Sequence, residues 1–197
     1  LDTDGTQAES NKVYGIYFDS CSCNTIKNNT IYNNYIERTS TSSGVGYNNR
    51  AFGIYLKDSS NNTISNNTVK GNNIHGHNFK DNNGPNKAYG IYIDSSSSNN
   101  TIINSTIEEN YVSSSNVNVG SKAYGIYLEG SNNSIINNVV TDTKVTNANL
   151  GCGKDCAYGI YISGENNNIT KNIFKKTSVS LAYHSSGDSY ALSLIHI

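Results

Sequence analysis

One five-residue phrase recurs along this chain at nearly constant intervals. It reads V-Y-G-I-Y from Val13 and A-F-G-I-Y from Ala51, then A-Y-G-I-Y from Ala88, Ala123 and Ala157. The steps between copies are 38, 37, 35 and 34 residues. A unit of that length cannot bury its own apolar face and must stack on a neighbour, so the spacing points to a solenoid.

Within each phrase the side chains are expected to alternate as in a strand. Tyr14, Ile16 and Phe18 then share the core face, and Gly15 and Tyr17 the opposite one. The same reading applies to Phe52/Ile54/Leu56, Tyr89/Ile91/Ile93, Tyr124/Ile126/Leu128 and Tyr158/Ile160/Ile162. After a polar corner, apolar residues return with a step of five: Ile26, Ile31, Ile36; Ile64, Val69, Ile74, Phe79; Ile102, Ile107, Val112, Val117. Ile135, Val140, Val145, Leu150 and Ile169, Phe174, Val179 continue the series. A step of five suits neither a helix nor an unbroken strand, where it would flip the side chain to the other face. It suits very short strands separated by corners of N-N, G-N, E-N or D-T, residues that tolerate left-handed backbone.

Three such strands with their corners need roughly 20 residues, so two coils per repeat would be crowded. One coil plus a loop fits better. Composition places the loops at Thr39–Arg50, Lys80–Lys87, Ser113–Lys122, Asn147–Cys156 and Ala182–Tyr190. Parallel crossovers are overwhelmingly right-handed. The expected fold is all-β: a right-handed, single-stranded parallel β-helix of about five coils, with one loop insertion per coil. It forms one solenoid over 1–191, with repeats starting near 13, 51, 88, 123 and 157.

Composition narrows the partners. Thirty-four Asn, one Pro, no Met and a mean hydropathy of −0.53 would also suit a disordered chain, but the fixed apolar positions oppose that. Fourteen basic residues balance fifteen acidic ones, which leaves no overall field for nucleic acid. No apolar run approaches the roughly 18 residues of a membrane span. A further step of 34 lands on Ala191, yet the chain continues Leu192-Ser193-Leu194-Ile195-His196-Ile197. This string resembles a translated transposon end, so 192–197 is expected to be a non-native read-through tail. Leu1 to Lys12 resembles the end of a preceding repeat, which makes further coils of the same chain expected neighbours.

The strings G-I-Y-L-K-D-S-S-N-N-T-I-S-N-N-T-V (Gly53–Val69) and G-I-Y-I-D-S-S-S-S-N-N-T-I-I-N-S-T-I (Gly90–Ile107) resemble parallel β-helix repeats of the pectin-lyase-like fold. They are similar to those of NosD-like periplasmic copper-maturation proteins and of many microbial surface proteins. The resemblance covers Val13 to about Ser189. It implies export to the periplasm, the cell surface or the extracellular space. It does not imply one activity, since lyases, hydrolases, epimerases and non-enzymatic proteins share the fold.

The candidate binding residues are Tyr17, Tyr55, Tyr92, Tyr127 and Tyr161, expected as an outward column with one ring per coil, about 4.8 Å apart. Beside them a column of Gly15, Gly53, Gly90, Gly125 and Gly159 is expected as an open groove. Such a surface suits a polysaccharide or surface glycan stacking on the rings, with little dependence on salt. The alternative is that the loops fold back and cover the tyrosines. No catalytic residues are assigned: the N-T-D, G-H-G and R-I-K strings of polygalacturonase-type enzymes and the D-P-H-D string of alginate epimerases do not occur.

Asp19, Asp58, Asp94 and Glu129 follow the phrases as turn formers or as oxygen ligands for Ca²⁺, the one cofactor with a candidate set. His75-Gly76-His77 with Asp81 resembles half of a metal site but reads better as a solvated loop, with His184 three repeats away. Cys21/Cys23 and Cys152/Cys156 do not have zinc spacing; Cys152 and Cys156 can close a small disulfide or remain thiols. Asn28, Asn61, Asn66, Asn99, Asn104, Asn132 and Asn168 each begin an N-x-S/T triplet, a by-product of corners whose Asn residues can stack as an amide ladder. The expected function is a non-catalytic exported β-helix module for surface display or glycan binding. The alternatives are a fragment of a carbohydrate-active enzyme with its site in missing coils, and a NosD-like protein.

Overall fold

The chain turns because single residues adopt left-handed backbone at fixed intervals. In the second repeat Asn61, Asn66 and Gly71 have φ of 59°, 54° and 65°. The residue after each, Asn62, Asn67 or Asn72, is buried. Asn pays less than other side-chain-bearing residues for this region, and Gly nothing. In later turns Glu109, Asp142, Lys171 and Lys176 take the same conformation. The coordinates are a computed structural model that describes residues 11–38, 49–76, 86–114, 121–147, 155–181 and 187–194.

Each turn uses four strands, not the expected three, because a corner follows every three-residue segment. The first turn comprises β1 (Lys12–Asp19), β2 (Thr25–Lys27), β3 (Thr30–Tyr32) and β4 (Tyr35–Arg38). The second comprises β5 (Arg50–Lys57), β6 (Thr63–Ser65), β7 (Thr68–Lys70) and β8 (Asn73–Gly76). The third comprises β9 (Lys87–Ile93), β10 (Thr101–Ile103), β11 (Thr106–Glu108) and β12 (Tyr111–Ser114). The fourth comprises β13 (Lys122–Leu128), β14 (Ser134–Ile136), β15 (Val139–Thr141) and β16 (Lys144–Asn147). Then follow β17 (Asp155–Ile162), β18 (Asn168–Thr170), β19 (Ile173–Lys175), β20 (Ser178–Leu181) and β21 (Gly187–Leu194).

Equivalent strands of successive turns pair in parallel and build four sheets. Sheet A has the order β1-β5-β9-β13-β17-β21; sheets B, C and D hold five strands each, led by β2, β3 and β4. The register follows the repeat: Ala88 pairs with Ala123, Tyr89 with Tyr124 and Ile91 with Ile126. At β21 it is Tyr190 that stands opposite Tyr158, and Leu192 opposite Ile160. The central parts of the expected loops connect sheet D to sheet A and lie outside the described residues, as do Phe79, Val117 and Leu150.

The step-of-five residues are the core. Ile64, Val69, Ile102, Ile107, Ile135 and Val140 are fully buried, together with Ile54, Ile91, Ile126 and Ile160 of sheet A. Ile16 at the outer turn is partly buried in the same cluster. A second cluster joins Ile36, Ile74, Val112 and Val145 of sheet D to Ala51, Ala88, Ala123 and Ala157.

Between the strands run amide ladders. The backbone N–H of Asn24 donates to Oδ1 of Asn62 at 2.9 Å, that of Asn62 to Asn100 at 2.9 Å, and that of Asn100 to Asn133 at 2.8 Å. Nδ2 of Asn62 donates to Oδ1 of Asn100 and to the carbonyl of Cys21, each at 3.1 Å. A buried amide is tolerated only when its donors and acceptors are paired, and stacking identical turns pairs them.

The expected facing of the phrase needs correction. Its strand ladder steps over the glycine: Ala51 and Phe52 pair with Ala88 and Tyr89, then Ile54 with Ile91. Ala51 and Ile54 both face inward but in different clusters, so the strand bends between them. The glycine therefore points into the coil. A Cβ on Gly90 would meet the Ile107 side chain and would lie 2.8 Å from Nδ2 of Asn110. The residue before it, Phe52 or Tyr89, leaves the coil, so the glycine column is not an open outer groove.

Candidate aromatic face of sheet A

The bend at glycine places two aromatic columns on the outer face of sheet A. Tyr17, Tyr55, Tyr92, Tyr127 and Tyr161 form the expected one, since the residues flanking each of the last four, such as Ile91 and Ile93 around Tyr92, are core. Tyr14, Phe52, Tyr89, Tyr124 and Tyr158 form a second column. Alternation across an unbroken strand had put these in the core, and only the bend reveals them.

In the inner column successive rings stack at 4.9–5.0 Å with interplanar angles of 4° to 9°. Phe52, Tyr89 and Tyr124 are buried. In the outer column Tyr92 and Tyr127 stack at 5.0 Å and Tyr127 and Tyr161 at 4.7 Å, both at 7°. Tyr55 meets Tyr92 edge-on at 84°. The two columns contact each other within a turn, stacked in the first two turns, as in Phe52–Tyr55 at 14°, and edge to face in the next three, as in Tyr89–Tyr92 at 75° and Tyr124–Tyr127 at 79°. Edge-to-face and offset-stacked geometries are the favourable ones for aromatic quadrupoles.

Tyr55, Tyr92, Tyr127 and Tyr161 are half-buried, and Tyr17 is 41% exposed. They are thus neither fully open nor sealed. Both faces of the Tyr127 ring are covered by its column neighbours, so this ring turns its edge and hydroxyl outward.

Carboxylates at the strand ends fasten some of the hydroxyls. Tyr92 and Tyr127 donate to Oε2 and Oε1 of Glu129 at 2.7 and 3.0 Å. Tyr17 donates to Asp19 at 2.9 Å, which also receives Nζ of Lys57 at 3.0 Å. These hydrogen bonds hold the Asp19 carboxyl below its ordinary pKa. Burial pushes the Tyr55 phenol up to about 12, and the Tyr89, Tyr92, Tyr124 and Tyr127 phenols higher still. These five phenols are therefore uncharged at any ordinary pH.

The remaining candidates do not converge. Oδ1 and Oδ2 of Asp94 each accept the backbone N–H of Asp58 at 3.3 Å, and Oδ1 accepts Ser97 Oγ at 2.7 Å; Asp58 sits 3.9 Å from Lys57. Among the described residues no three His, Cys, Asp or Glu side chains group as a metal ion requires. His75 packs edge-on against Tyr111 at 5.3 Å. His77, Asp81, His184 and Cys152 lie outside the described residues, and with Cys152 the Cys152–Cys156 pairing; Cys156 itself is buried. Cys21 donates to the carbonyl of Asp19 at 3.2 Å. All seven sequon asparagines are exposed.

A family model described as right handed beta helix region matches residues 3–193. The chain belongs to the right-handed β-helix family. No curated protein and no solved structure matches it. Membership fixes the hand of the coil and the stacking of turns; for a β-helix, chemistry lives in the side chains of particular faces and not in the fold. On this β-helix the outer face of sheet A carries two in-register aromatic columns, the outer of them partly exposed.

Proposed function

We propose that this chain is a non-catalytic β-helix module, exported and working at a cell surface, where the outer face of sheet A contacts a glycan. The observation that carries the reading is the partly exposed, in-register column of Tyr17, Tyr55, Tyr92, Tyr127 and Tyr161. A column repeating with the strand spacing of about 4.8 Å suits a polymer lying along the solenoid axis, which meets the same groups at each turn. Ring edges, phenolic hydroxyls and the Asp19 and Glu129 carboxylates offer the mixed polar and apolar contacts that sugars need.

The test is a titration of neutral and acidic oligosaccharides, read for binding by calorimetry and for cleavage by product analysis. Binding without products is expected. Changing Tyr92→Phe and Tyr127→Phe together keeps the rings and their stacking but removes two hydroxyls. That pair should weaken binding by about fivefold or more, at about 1 kcal/mol per hydrogen bond. Turnover of any oligosaccharide would overturn the non-catalytic reading in favour of a carbohydrate-active enzyme. Failure of every oligosaccharide to bind would overturn the glycan reading. Surface labelling of intact host cells with an antibody to the chain checks the location.

A further inference from the structure

Sheet D has a notch on its outer face, where the second turn carries short residues between longer ones. In the column Tyr35–Asn73–Tyr111 of β4, β8 and β12, an amide stands between two phenols. The outer rings are two strand spacings apart, about 9.6 Å. At the corner before these strands the second turn has Gly71, where the first has Asn33 and the third Glu109. All three are in left-handed backbone, so they hold the same place in the coil. A Cβ on Gly71 would lie 2.8 Å from Oδ1 of Asn33, so a side chain there would crowd the notch. Together the two short residues leave a cavity of about 310 Å³, lined by Asn33, Tyr35, Glu37, Gly71, Asn73 and His75. That is the small end of the range for small-molecule sites.

The chemistry of the notch favours a cation. Glu37 and His75 are direct partners, and each follows a buried isoleucine, so both leave the coil on the side of Tyr35 and Asn73. Glu37 is exposed, and among the described residues no ion pair involves it. Oδ1 of Asn73 is buried without a hydrogen-bond partner, so turning this amide toward a ligand breaks no bond at its oxygen. Lys70, on the strand before the corner, is held between Glu108 at 3.9 Å and Glu109 at 3.8 Å. Lys144 stands on the rung beyond Tyr111. Glu37, Glu108 and Glu109 thus outweigh the one ammonium they surround. Tyr35 is 47% exposed, and His75 packs against Tyr111 at 5.3 Å. Aromatic rings beside a carboxylate suit an organic cation.

We propose that this notch binds a small organic cation bearing N–H donors, a guanidinium or a primary ammonium ion. Glu37 is its counter-ion, the Asn73 amide a further acceptor, and Tyr35 the wall against its carbon chain. A bare metal ion is disfavoured, because among the described residues no three His, Cys, Asp or Glu side chains group together. The site lies on sheet D and is independent of the glycan reading of sheet A, so either can fail alone.

The experiment titrates the full chain with butylguanidinium, butylammonium, the neutral isostere butylurea and Ca²⁺, read by calorimetry. At least one of the two organic cations should bind about tenfold or more tighter than butylurea, and the tighter one names the head group. Glu37→Gln should remove that advantage and leave the melting temperature unchanged, since this carboxylate is exposed and unpaired. Asn73→Tyr should fill the notch and abolish binding while the far-ultraviolet dichroism of the coil is kept. Equal binding of butylurea, no binding of either organic cation, or unchanged affinity in Glu37→Gln would overturn the inference. Undiminished binding in a folded Asn73→Tyr variant would place the ligand elsewhere and overturn it as well. Displacement of the organic cation by Ca²⁺ at equal concentration would overturn it in favour of a metal site.

Discussion

Glycine in the repeated phrase is where residue-level physics departs most from the linear pattern. A glycine row inside strands lowers stability unless something approaches the backbone closely. Here the close approach comes from within, from the Ile107 side chain, the carbonyl of Gly125 and the amide of Asn110 around Gly90. Gly90→Ala should therefore destabilise the protein by about 1–3 kcal/mol, measured by urea denaturation, because backbone and core must move to admit one methyl. An unchanged midpoint would mean that the glycine faces solvent, as simple alternation suggested. That alternation failed because it assumed a straight strand, whereas Gly53 and its equivalents permit two consecutive inward residues. Isoleucine gave no such trouble: Ile91 and Ile126 are core on either reading.

The asparagine ladders govern at the scale of the element. Their corners were legible because the step of five and the N-N pairs mark one left-handed residue followed by one inward residue, as at Asn66 and Asn67. The third ladder shows what happens when the series changes. Asn34 donates to Asn72 at 3.1 Å and Asn72 to Asn110 at 2.9 Å, but the next rung is Thr143. A hydroxyl does not span the gap between turns, and Nδ2 of Asn110 and Oγ1 of Thr143 are both buried without partners. Thr143→Asn should extend the ladder and raise stability by about 1 kcal/mol, visible as a higher melting temperature. A lower melting temperature would show that the position is too tight for an amide. Lys12, Arg50, Lys87 and Lys122 belong to this scale too: they are direct partners on successive strands of sheet A, illegible in the sequence because they lie 35 to 38 residues apart and become neighbours only through pairing.

At the scale of the whole molecule, everything depends on one repeat making one turn. The sequence period placed the turns and most of the core correctly, since Ile64, Ile102 and Ile135 are buried neighbours in sheet B. It could not place the second aromatic column, whose outward direction depends on a bend that no residue spacing records. The stack also underlies the function proposed for its surface: identical side chains one strand spacing apart make a periodic face, and a periodic face suits a polymer. The direct test of the stacking is disulfide capture between turns, in a background with Cys21, Cys23, Cys152 and Cys156 replaced by Ser. Thr63 and Thr101 are direct partners in sheet B, whereas Thr106 pairs with Thr68 in sheet C. Adjacent in-register strands hold partner Cα atoms within the roughly 4.4–6.8 Å that a disulfide spans. Thr63→Cys with Thr101→Cys should cross-link readily under mild oxidation, and Thr63→Cys with Thr106→Cys should not. Equal capture of both pairs, or of the second alone, would contradict one turn per repeat.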